Sequence, residues 1–293
     1  MSVYSGLTRP SHLLAFAILA SCNMSKRLSS EILSYYRETP ERDRLQTGVF
    51  QLEFFRTKEL IDRWLSRPPA VVLDVGGGPG AYASWLAGRG YEVQLVDPVP
   101  ELVEQARQLD GRIASCSVGD ARALNQKDQS ADCVLLLGPL YHLVDSSERQ
   151  SALREAYRML VPGGLLFAAA ISRFASALDG LARDFLADPA FVKIVERDLA
   201  TGLHENVTGK AEYFTTAHFH RPEELEEEVT AADFSVLQVV GLEGPGWLFE
   251  NFEQRWRDSR CREDMLRVAR ALEAERSIRG ISAHLLAVAR RPQ

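Results

Sequence analysis

The stretch VVLDVGGGPG, from Val71 to Gly80, is a short apolar segment followed by a glycine-rich turn. Residues 71–75 have the β-branched and apolar composition of a parallel strand that is covered on both faces. The glycines and Pro79 that follow require a sharp turn with exposed backbone. A helix-forming segment, 81–86, comes next. Strand, glycine turn and helix in this order place backbone N–H groups and a helix N-terminus against a polar ligand.

An acidic residue and three alternating glycines stand in this stretch at Asp74, Gly76, Gly78 and Gly80. Their spacing resembles motif I of the class I S-adenosylmethionine (SAM) dependent methyltransferases. The resemblance implies that the glycine loop holds the methionine part of SAM. It also implies that Asp74 receives the amino group of SAM, directly or through water.

Polar residues also follow the next two predicted strands. Asp97 ends the second strand, and the resemblance implies that it accepts both ribose hydroxyls while Pro98 packs on adenine. The third strand ends at Asp120 and Ala121. In the family, an acidic residue here takes the adenine amino group and the next backbone N–H meets a ring nitrogen.

The segment 136–143, after the fourth strand, is similar to a segment of small-molecule methyltransferases that carries an aromatic–histidine pair. The resemblance implies that the backbone of Leu137 and Gly138 runs beneath the cofactor. It also implies that Tyr141 and His142 face the methyl group. We predict both as catalytic residues, with His142 as a candidate general base.

The other histidines divide by their surroundings in the sequence. His218 is a third catalytic candidate because we expect its segment to cover the ligand crevice. His218 and His220 also have an alternating spacing that suits a metal, but no third ligand is visible and we predict no metal site. We expect His204 to lie on the surface, together with His12, and His284 to be a structural residue of the last strand.

Alternating strand and helix patterns continue from residue 70, which indicates a doubly wound, mostly parallel sheet of the α/β class. The methyltransferase resemblance implies seven strands with an antiparallel last one. The predicted organisation is an N-terminal extension (1–27), a helical cap (28–69), a Rossmann-like SAM domain (70–172 and 221–293) and a helical lid insertion (173–220).

The helical cap carries residues that suit a cofactor carboxylate. Several methyltransferases close an N-terminal helix over SAM, with an aromatic or basic residue near its carboxylate. We therefore predict that Tyr36 and Arg56 contact SAM, and note Arg44 and Glu53 beside them. The alternative is salt bridging on the helix surface.

The insertion and the following loops are rich in aromatic residues, namely Tyr213, Phe214, Phe219 and Trp247. These rings either form an apolar pocket for a methyl acceptor or attach the insertion to the sheet by packing alone. The sequence does not decide between the two.

The composition is that of a soluble globular protein: 293 residues, 46% apolar and 25% charged, with a formal charge of −6. The acidic balance disfavours a general nucleic-acid partner. Four cysteines without metal spacing predict a reduced, cytoplasmic protein. The apolar run 13–20 is too short to span a membrane, although it resembles a lipoprotein signal ending at Cys22. We favour a true start at Met24.

The sequence therefore predicts methyl transfer from SAM to a small acceptor, with S-adenosylhomocysteine (SAH) as product. A nicotinamide-dependent oxidoreductase is an alternative, because Gly76, Gly78 and Ala81 also match the dinucleotide pattern and Asp97 lies at the distance of a ribose-binding acid. A non-catalytic SAM-binding protein is another, and RNA or protein methylation a further one. The acceptor and the oligomeric state are not indicated.

Overall fold

The carboxyl ends of five parallel strands meet along one edge of a central sheet in the computed structural model, which describes residue 35, residues 44–109 and residues 112–293. The predictions made for residues 1–27, including those for the start site and the lipoprotein signal, lie outside the described residues. The prediction for Tyr36 lies outside them as well.

In the described ranges, the strands are β1 (Val71–Val75), β2 (Glu92–Asp97), β3 (Ser115–Val118), β4 (Ala131–Leu136), β5 (Leu160–Ser172), β6 (Leu203–His204), β7 (Ala217–His220), β8 (Ser235–Gly241) and β9 (His284–Arg290). The α-helices of the same ranges are α1 (Phe50–Trp64), α2 (Ala81–Ala87), α3 (Pro100–Arg107), α4 (Pro139–His142), α5 (Ser146–Met159), α6 (Ala175–Ala182), α7 (Pro189–Thr201), α8 (Pro222–Thr230), α9 (Phe252–Arg257) and α10 (Ser259–Leu272).

The sheet has β1 at its centre. Strands β3, β2, β1, β4 and β5 follow one another in parallel, and β9 then pairs antiparallel with β5 and carries β8 on its other edge. Neighbouring residues of β1 face opposite sides, so Leu73 packs in one buried cluster and Val72 in another. The predicted doubly wound, mostly parallel sheet is confirmed.

Strand β5 runs through a segment whose composition is typical of a turn. Proline and two glycines stand at 162–164, whereas β5 begins at Leu160 and continues through them. Gly163 takes φ +81 and its N–H donates to the carbonyl of Arg291 over 2.9 Å. The strand continues because residues just beyond β9 hold these glycines as an irregularity within it.

The insertion between β5 and α8 contains two helices, as predicted, and two short strands that were not predicted. Strand β7 pairs in parallel with the end of β5, where Ile171 lies opposite Phe219, and β6 pairs antiparallel with β7. These pairs attach the insertion to the sheet at the edge where the carboxyl ends of the parallel strands lie. Two- and four-residue strands carry no periodic pattern that a sequence could reveal.

His204 is buried, and its predicted place on the surface is wrong. Its Nδ1 lies 2.9 Å from an oxygen of the buried Asp198, and its Nε2 lies 2.8 Å from the carbonyl of Tyr213. The ring stacks on Phe219 with 4.6 Å between centroids. These contacts connect α7, β6 and β7, so His204 holds the insertion together.

Across the part of the chain that the structure describes, no helix combines the length and the apolar character needed to cross a bilayer.

Candidate functional site

The glycine turn opens onto a crevice at the carboxyl edge of the sheet, which we call the glycine crevice. Its volume is about 1110 Å³ when the space open to solvent is included. Residues from four successive strand ends line it, at 74–79, 97–99, 119–121, 137–139 and 141–143. The structure thus brings together the four segments that the sequence selected.

Main-chain hydrogen bonds and packing fix the conformation of the glycine turn. The N–H of Gly76 donates to the carbonyl of Val96 over 2.7 Å, and the N–H of Gly78 donates to a carboxylate oxygen of Asp97 over 2.8 Å. Gly76 has φ +71, and a Cβ added there would lie 2.7 Å from the ring of Pro139. Gly78 has φ +54, but a Cβ there would meet nothing within 4 Å. Packing therefore requires Gly76, whereas Gly78 borders open space.

Gly80 has a different position from the one predicted, since it is not among the residues that line the crevice. It precedes α2 in a left-handed conformation with φ +89. A Cβ there would lie 3.1 Å from Leu109 and 3.2 Å from Ala106. Gly80 therefore allows α2 to pack close to α3. It affects the crevice only by fixing the conformation of the glycine turn.

Asp74 is the most deeply buried acid of the glycine crevice, with 1% of its surface exposed. Its Oδ2 has no hydrogen-bond partner among the described residues. Burial, and next the charge of Asp97, raise the pKa of Asp74 to about 7. A cationic group placed beside this oxygen would satisfy it and favour the ionised form.

Asp97 lies across the turn from Asp74 and is 5% exposed. One of its oxygens accepts from the N–H of Gly78 and the other accepts from the N–H of Val99, each over 2.8 Å. The carboxylate thus links the end of β2 to the glycine turn.

Asp120 lines the crevice, but its carboxylate already has a partner. The guanidinium of Arg122 donates to both oxygens, over 2.9 Å from Nε and 2.6 Å from Nη2. Arg122 also bonds Glu148. A ligand amino group would share the carboxylate with this cation, whereas the backbone of the neighbouring Ala121 also lines the crevice.

Tyr141 and His142 stand on the short helix α4 beside Leu137 and Gly138, and all four residues line the glycine crevice. The two rings meet edge to face at 4.6 Å between centroids. Burial, and next the charge of Arg44, lower the pKa of His142 to about 3. The imidazole is therefore neutral near pH 7, and it is a weak base.

Arg56 and His218 do not reach the crevice that the sequence predicted for them. Arg56, a residue of α1, is fully buried and bonds Glu59, Glu273 and the carbonyl of Leu242. His218 is absent from the linings of the two cavities described in this section. Helical periodicity did not distinguish Arg56 from Arg44, which lines the crevice and bonds Glu53 over 3.3 Å.

His218 and His220 do have a third potential metal ligand, Glu228, which the sequence did not bring to notice. The Nε2 of His220 lies 3.1 Å from one oxygen of Glu228. Arg149, however, donates to both oxygens of that carboxylate. The arginine neutralises the acid that a metal ion would need, so the cluster is an ion-pair network.

A second cavity of about 1230 Å³ adjoins the glycine crevice, and we call it the aromatic cavity. The two share the side chains of Arg44, Glu53 and Tyr141. The sequence did not decide whether four aromatic rings form a pocket or only pack against the sheet. All four line this cavity, namely Tyr213, Phe214, Phe219 and Trp247. The last strand and the turn after β8 add His284 and Glu243, whose role the sequence did not indicate.

Comparison with known proteins identifies a methyltransferase domain over residues 73–168, the part of the chain that forms the glycine crevice. An uncharacterized methyltransferase of Mycobacterium tuberculosis is 35% identical over 108 residues, which are 37% of this chain and 42% of that protein. The chain thus spans less than half the length of that relative. A ubiquinone biosynthesis O-methyltransferase of Methylocella silvestris is 28% identical over 205 residues, covering 67% of this chain and 69% of the relative.

The fold agrees with this assignment. A SAM-dependent methyltransferase of Thermotoga maritima superposes with a TM-score of 0.54 at 20% identity, covering 88% of this chain and 97% of the other. Residues 73–168 are thus a methyltransferase domain, and the chain has the fold of SAM-dependent methyltransferases.

Proposed function

We propose that this protein transfers a methyl group from SAM to a small-molecule acceptor. The observation that carries the proposal is the shared wall between the two cavities. The glycine crevice holds the acidic and glycine groups suited to SAM, and the aromatic cavity meets it at Arg44, Glu53 and Tyr141. A methyl donor in one cavity and an acceptor in the other would therefore meet at this wall.

Two features of the glycine crevice fit SAM. The buried, unpartnered Oδ2 of Asp74 suits the amino group of the methionine part, and the open space beside Gly78 suits close approach of a ligand to the backbone. We assign the ribose hydroxyls to Asp97 and the adenine to Pro98, Ala121 and, in competition with Arg122, Asp120. Leu137 and Gly138 would border the cofactor from below.

The acceptor class follows from the second cavity. Aromatic rings line it together with charged side chains, namely Arg44, Glu53, Asp179, Arg183, Glu212 and Glu243. Apolar walls with polar groups placed among them are typical of sites for small molecules. The O-methyltransferase name of the Methylocella relative agrees with a small acceptor. The chain carries a net charge of −6, which disfavours an RNA substrate.

SAM brings an electrophilic sulfonium methyl, so the protein's task is alignment and exclusion of water. Tyr141 lies where both cavities meet and separates the reacting groups from solvent. Arg44 and Glu53 form an ion pair at the same wall and orient what enters from the aromatic side. His142 stays a predicted catalytic residue, although its low pKa limits it to weak proton acceptance.

Isothermal titration with SAH and with NADH tests the proposal against the oxidoreductase alternative. We expect SAH to bind and NADH not to bind. Turnover is then measured as SAH formed from SAM with a panel of small aromatic alcohols and amines, with bulk RNA as a separate arm. Binding of NADH in place of SAH would refute methyl transfer. SAH binding without turnover on any arm would favour the non-catalytic alternative.

SAH affinity is expected to fall as the pH falls below about 7. In the free protein Asp74 has a pKa of about 7, and a bound ammonium group would lower that pKa. Binding at pH 6 must therefore expel a proton, which weakens affinity by at most about tenfold per pH unit. Titration calorimetry in two buffers of different ionisation enthalpy measures this proton release. An Asp74→Asn variant should lose the pH dependence, and equal affinity of the wild type at pH 6 and pH 8 would contradict the assignment.

Gly76→Ala is expected mainly to lower stability, whereas Gly78→Ala is expected mainly to weaken SAH binding. Each substitution strains a left-handed backbone by about 1–2 kcal/mol. Gly76→Ala also drives a methyl into Pro139, so it should lose roughly another 1–3 kcal/mol of stability. Gly78→Ala should be the more stable variant without ligand, yet should weaken SAH binding by about tenfold or more because its methyl enters the crevice. Urea unfolding and SAH titration of both variants compare them, and unimpaired SAH binding by Gly78→Ala would place the cofactor elsewhere.

A further inference from the structure

The wall of the aromatic cavity contains a histidine–carboxylate pair formed by His284 and Glu243. One oxygen of Glu243 lies 2.6 Å from Nδ1 of His284. The other oxygen accepts from the backbone N–H of the same histidine over 3.0 Å. Glu243 is 2% exposed, whereas the side chain of His284 keeps 15% exposure. The carboxylate is therefore buried behind the ring, and the ring lines the cavity.

The main chain holds this pair rigidly in place. His284 is the first residue of β9 and lies opposite Ile171, near the carboxyl end of β5. The loop that carries Glu243 is fixed by two bonds: Gly244 N–H donates to the hydroxyl of Ser282, and the indole of Trp247 donates to the carbonyl of Ile281, each over 2.9 Å. Because Glu243 is held rigidly, it fixes the orientation of the imidazole of His284 and the direction in which Nε2 points.

The pair also lies close to the shared wall. Glu53 lines both cavities, and its carboxylate is 3.8 Å from Nδ1 of His284. All the hydrogen bonds that the structure gives to the ring, among the described residues, are made by Nδ1. Nε2 is accordingly the ring atom that can meet a molecule in the aromatic cavity.

The other histidines near the site lack this arrangement. His142 has a pKa lowered to about 3 and binds a proton weakly. His204 lines the aromatic cavity, but Asp198 and the carbonyl of Tyr213 occupy both of its nitrogens. His218 is not part of either cavity lining. Among the described histidines of the two cavities, His284 combines an available nitrogen with a buried carboxylate behind it.

We propose that the acceptor is a phenol and that the Nε2–H of His284, oriented by Glu243, donates to the acceptor oxygen and stabilises the phenolate. The proposal rests on methyl transfer as the protein's function. In the step, the phenolic O–H bond breaks and the proton passes to solvent, while the phenolate oxygen stays beside the imidazolium. The oxygen bonds the methyl carbon as the carbon–sulfur bond breaks, and the electron pair of that bond stays on sulfur, giving neutral SAH.

The charges around His284 make its ring a cation. Glu53 on α1 and Glu243 raise the pKa of His284 to about 9, against burial and the charge of Arg44, which lower it. The ring is therefore an imidazolium near pH 7. A phenol has a pKa near that of tyrosine, about 10. A cation beside the phenolic oxygen favours its ionised form and lowers that pKa, so a phenol bound there loses its proton more readily than a free one.

The rings of the aromatic cavity suit the same class of acceptor. Phe214, Phe219 and Trp247 line it together with Tyr141 at the shared wall. Flat rings stack favourably or edge to face on such walls, with separations of about 4.5–7 Å between centroids. The charged groups of the wall are those of Arg44 and Glu53, and His284 lies beside Glu53, so an aromatic acceptor would place its hydroxyl there.

The test uses 4-nitrophenol, because the absorbance of its phenolate reports proton loss directly. It is titrated into the full chain saturated with SAH, and the ionised fraction of the bound probe is followed from pH 5 to pH 9. We expect the bound probe to be roughly tenfold more ionised than free probe at the same pH, because an imidazolium lies beside it. His284→Gln should abolish this gain, and Glu243→Gln should reduce it and move its pH midpoint downward. The matched control, His218→Gln, should behave as the wild type does.

Each outcome decides one question. SAH titration of every variant establishes that the protein is folded and binds cofactor. Failure of the wild type to bind SAH would overturn the proposed function itself. With SAH bound, absence of 4-nitrophenol binding, or the same probe ionisation in wild type and His284→Gln, would overturn the phenol–His284 assignment alone. If His284→Gln does not fold, the shift of the pH midpoint in Glu243→Gln decides in its place.

Discussion

Asp97→Ala is expected to weaken SAH binding at least about 100-fold, an effect of about 2.7 kcal/mol. The carboxylate accepts backbone N–H groups from Gly78 and Val99, so its loss removes the ribose acceptor and also releases the glycine turn. Hydrogen bonds to a charged group contribute about 1.5–3 kcal/mol each, and two ribose hydroxyls would bond this one. Isothermal titration with SAH measures the change.

The matched control for Asp97 is Asp132, an acid of β4 that lies beside the amino end of β1, away from the crevice. Its carboxylate accepts the N–H of Val71 over 2.8 Å in an exposed setting. Asp132→Ala should lower stability by about 1 kcal/mol and leave SAH affinity unchanged. Competition by adenosine and by 2′-deoxyadenosine adds a second readout, since the wild type should prefer adenosine and Asp97→Ala should not. Equal SAH affinities of wild type and Asp97→Ala would exclude Asp97 from the ribose site.

Arg56→Ala is expected to lower the free energy of unfolding by about 3–5 kcal/mol and to leave SAH affinity unchanged. Arg56 is 0% exposed and its guanidinium bonds Glu59, Glu273 and the carbonyl of Leu242. Its removal leaves the largely buried Glu273 with Arg63 as partner and opens a cavity between α1 and the turn after β8. Urea unfolding measures the loss, and SAH titration is made on the folded variant.

Arg89→Ala is the control for Arg56. Arg89 pairs with Asp62, also on α1, but both side chains are more than a third exposed, at 48% and 38%. Exposed pairs contribute about 0–1 kcal/mol, so this variant should unfold nearly as the wild type does. If Arg56→Ala unfolded like Arg89→Ala and bound SAH poorly, the original prediction of a cofactor contact would be right and the structural role wrong.

Local signals account for the parts of the site that the sequence predicted. The strand, turn and helix around Gly76 lie within one continuous stretch, and Asp97 follows at a spacing fixed by the helix between β1 and β2. The glycine turn and Asp97 can therefore both be recognised from a local pattern in the sequence. Parallel strands bring their carboxyl ends together, which is why four separate segments could be assigned to one crevice.

The remaining residues depend on contacts between distant parts of the chain. His284 and Glu243 lie at the aromatic cavity because β9 pairs with β5. No local pattern in the sequence around either residue predicts that pairing. The sequence around Arg56 and Arg44 does not show which arginine is buried. Arg56 is buried because it bonds Glu273, an acid more than 200 residues further along the chain. The bond between Arg122 and Asp120 could have been predicted from the sequence, because an arginine two residues after an aspartate can bend back and bond its carboxylate.

The place of β9 between β5 and β8 also sets an order of events during synthesis. Strand β8 leaves the ribosome before the only strand that it pairs with among the described residues, so it has no edge to join until β9 follows. The crevice-forming strands β1 to β4, in contrast, emerge first and can assemble among themselves. A growing chain could therefore form the glycine crevice early, whereas the aromatic cavity, which His284 lines, is completed only when β9 enters the sheet.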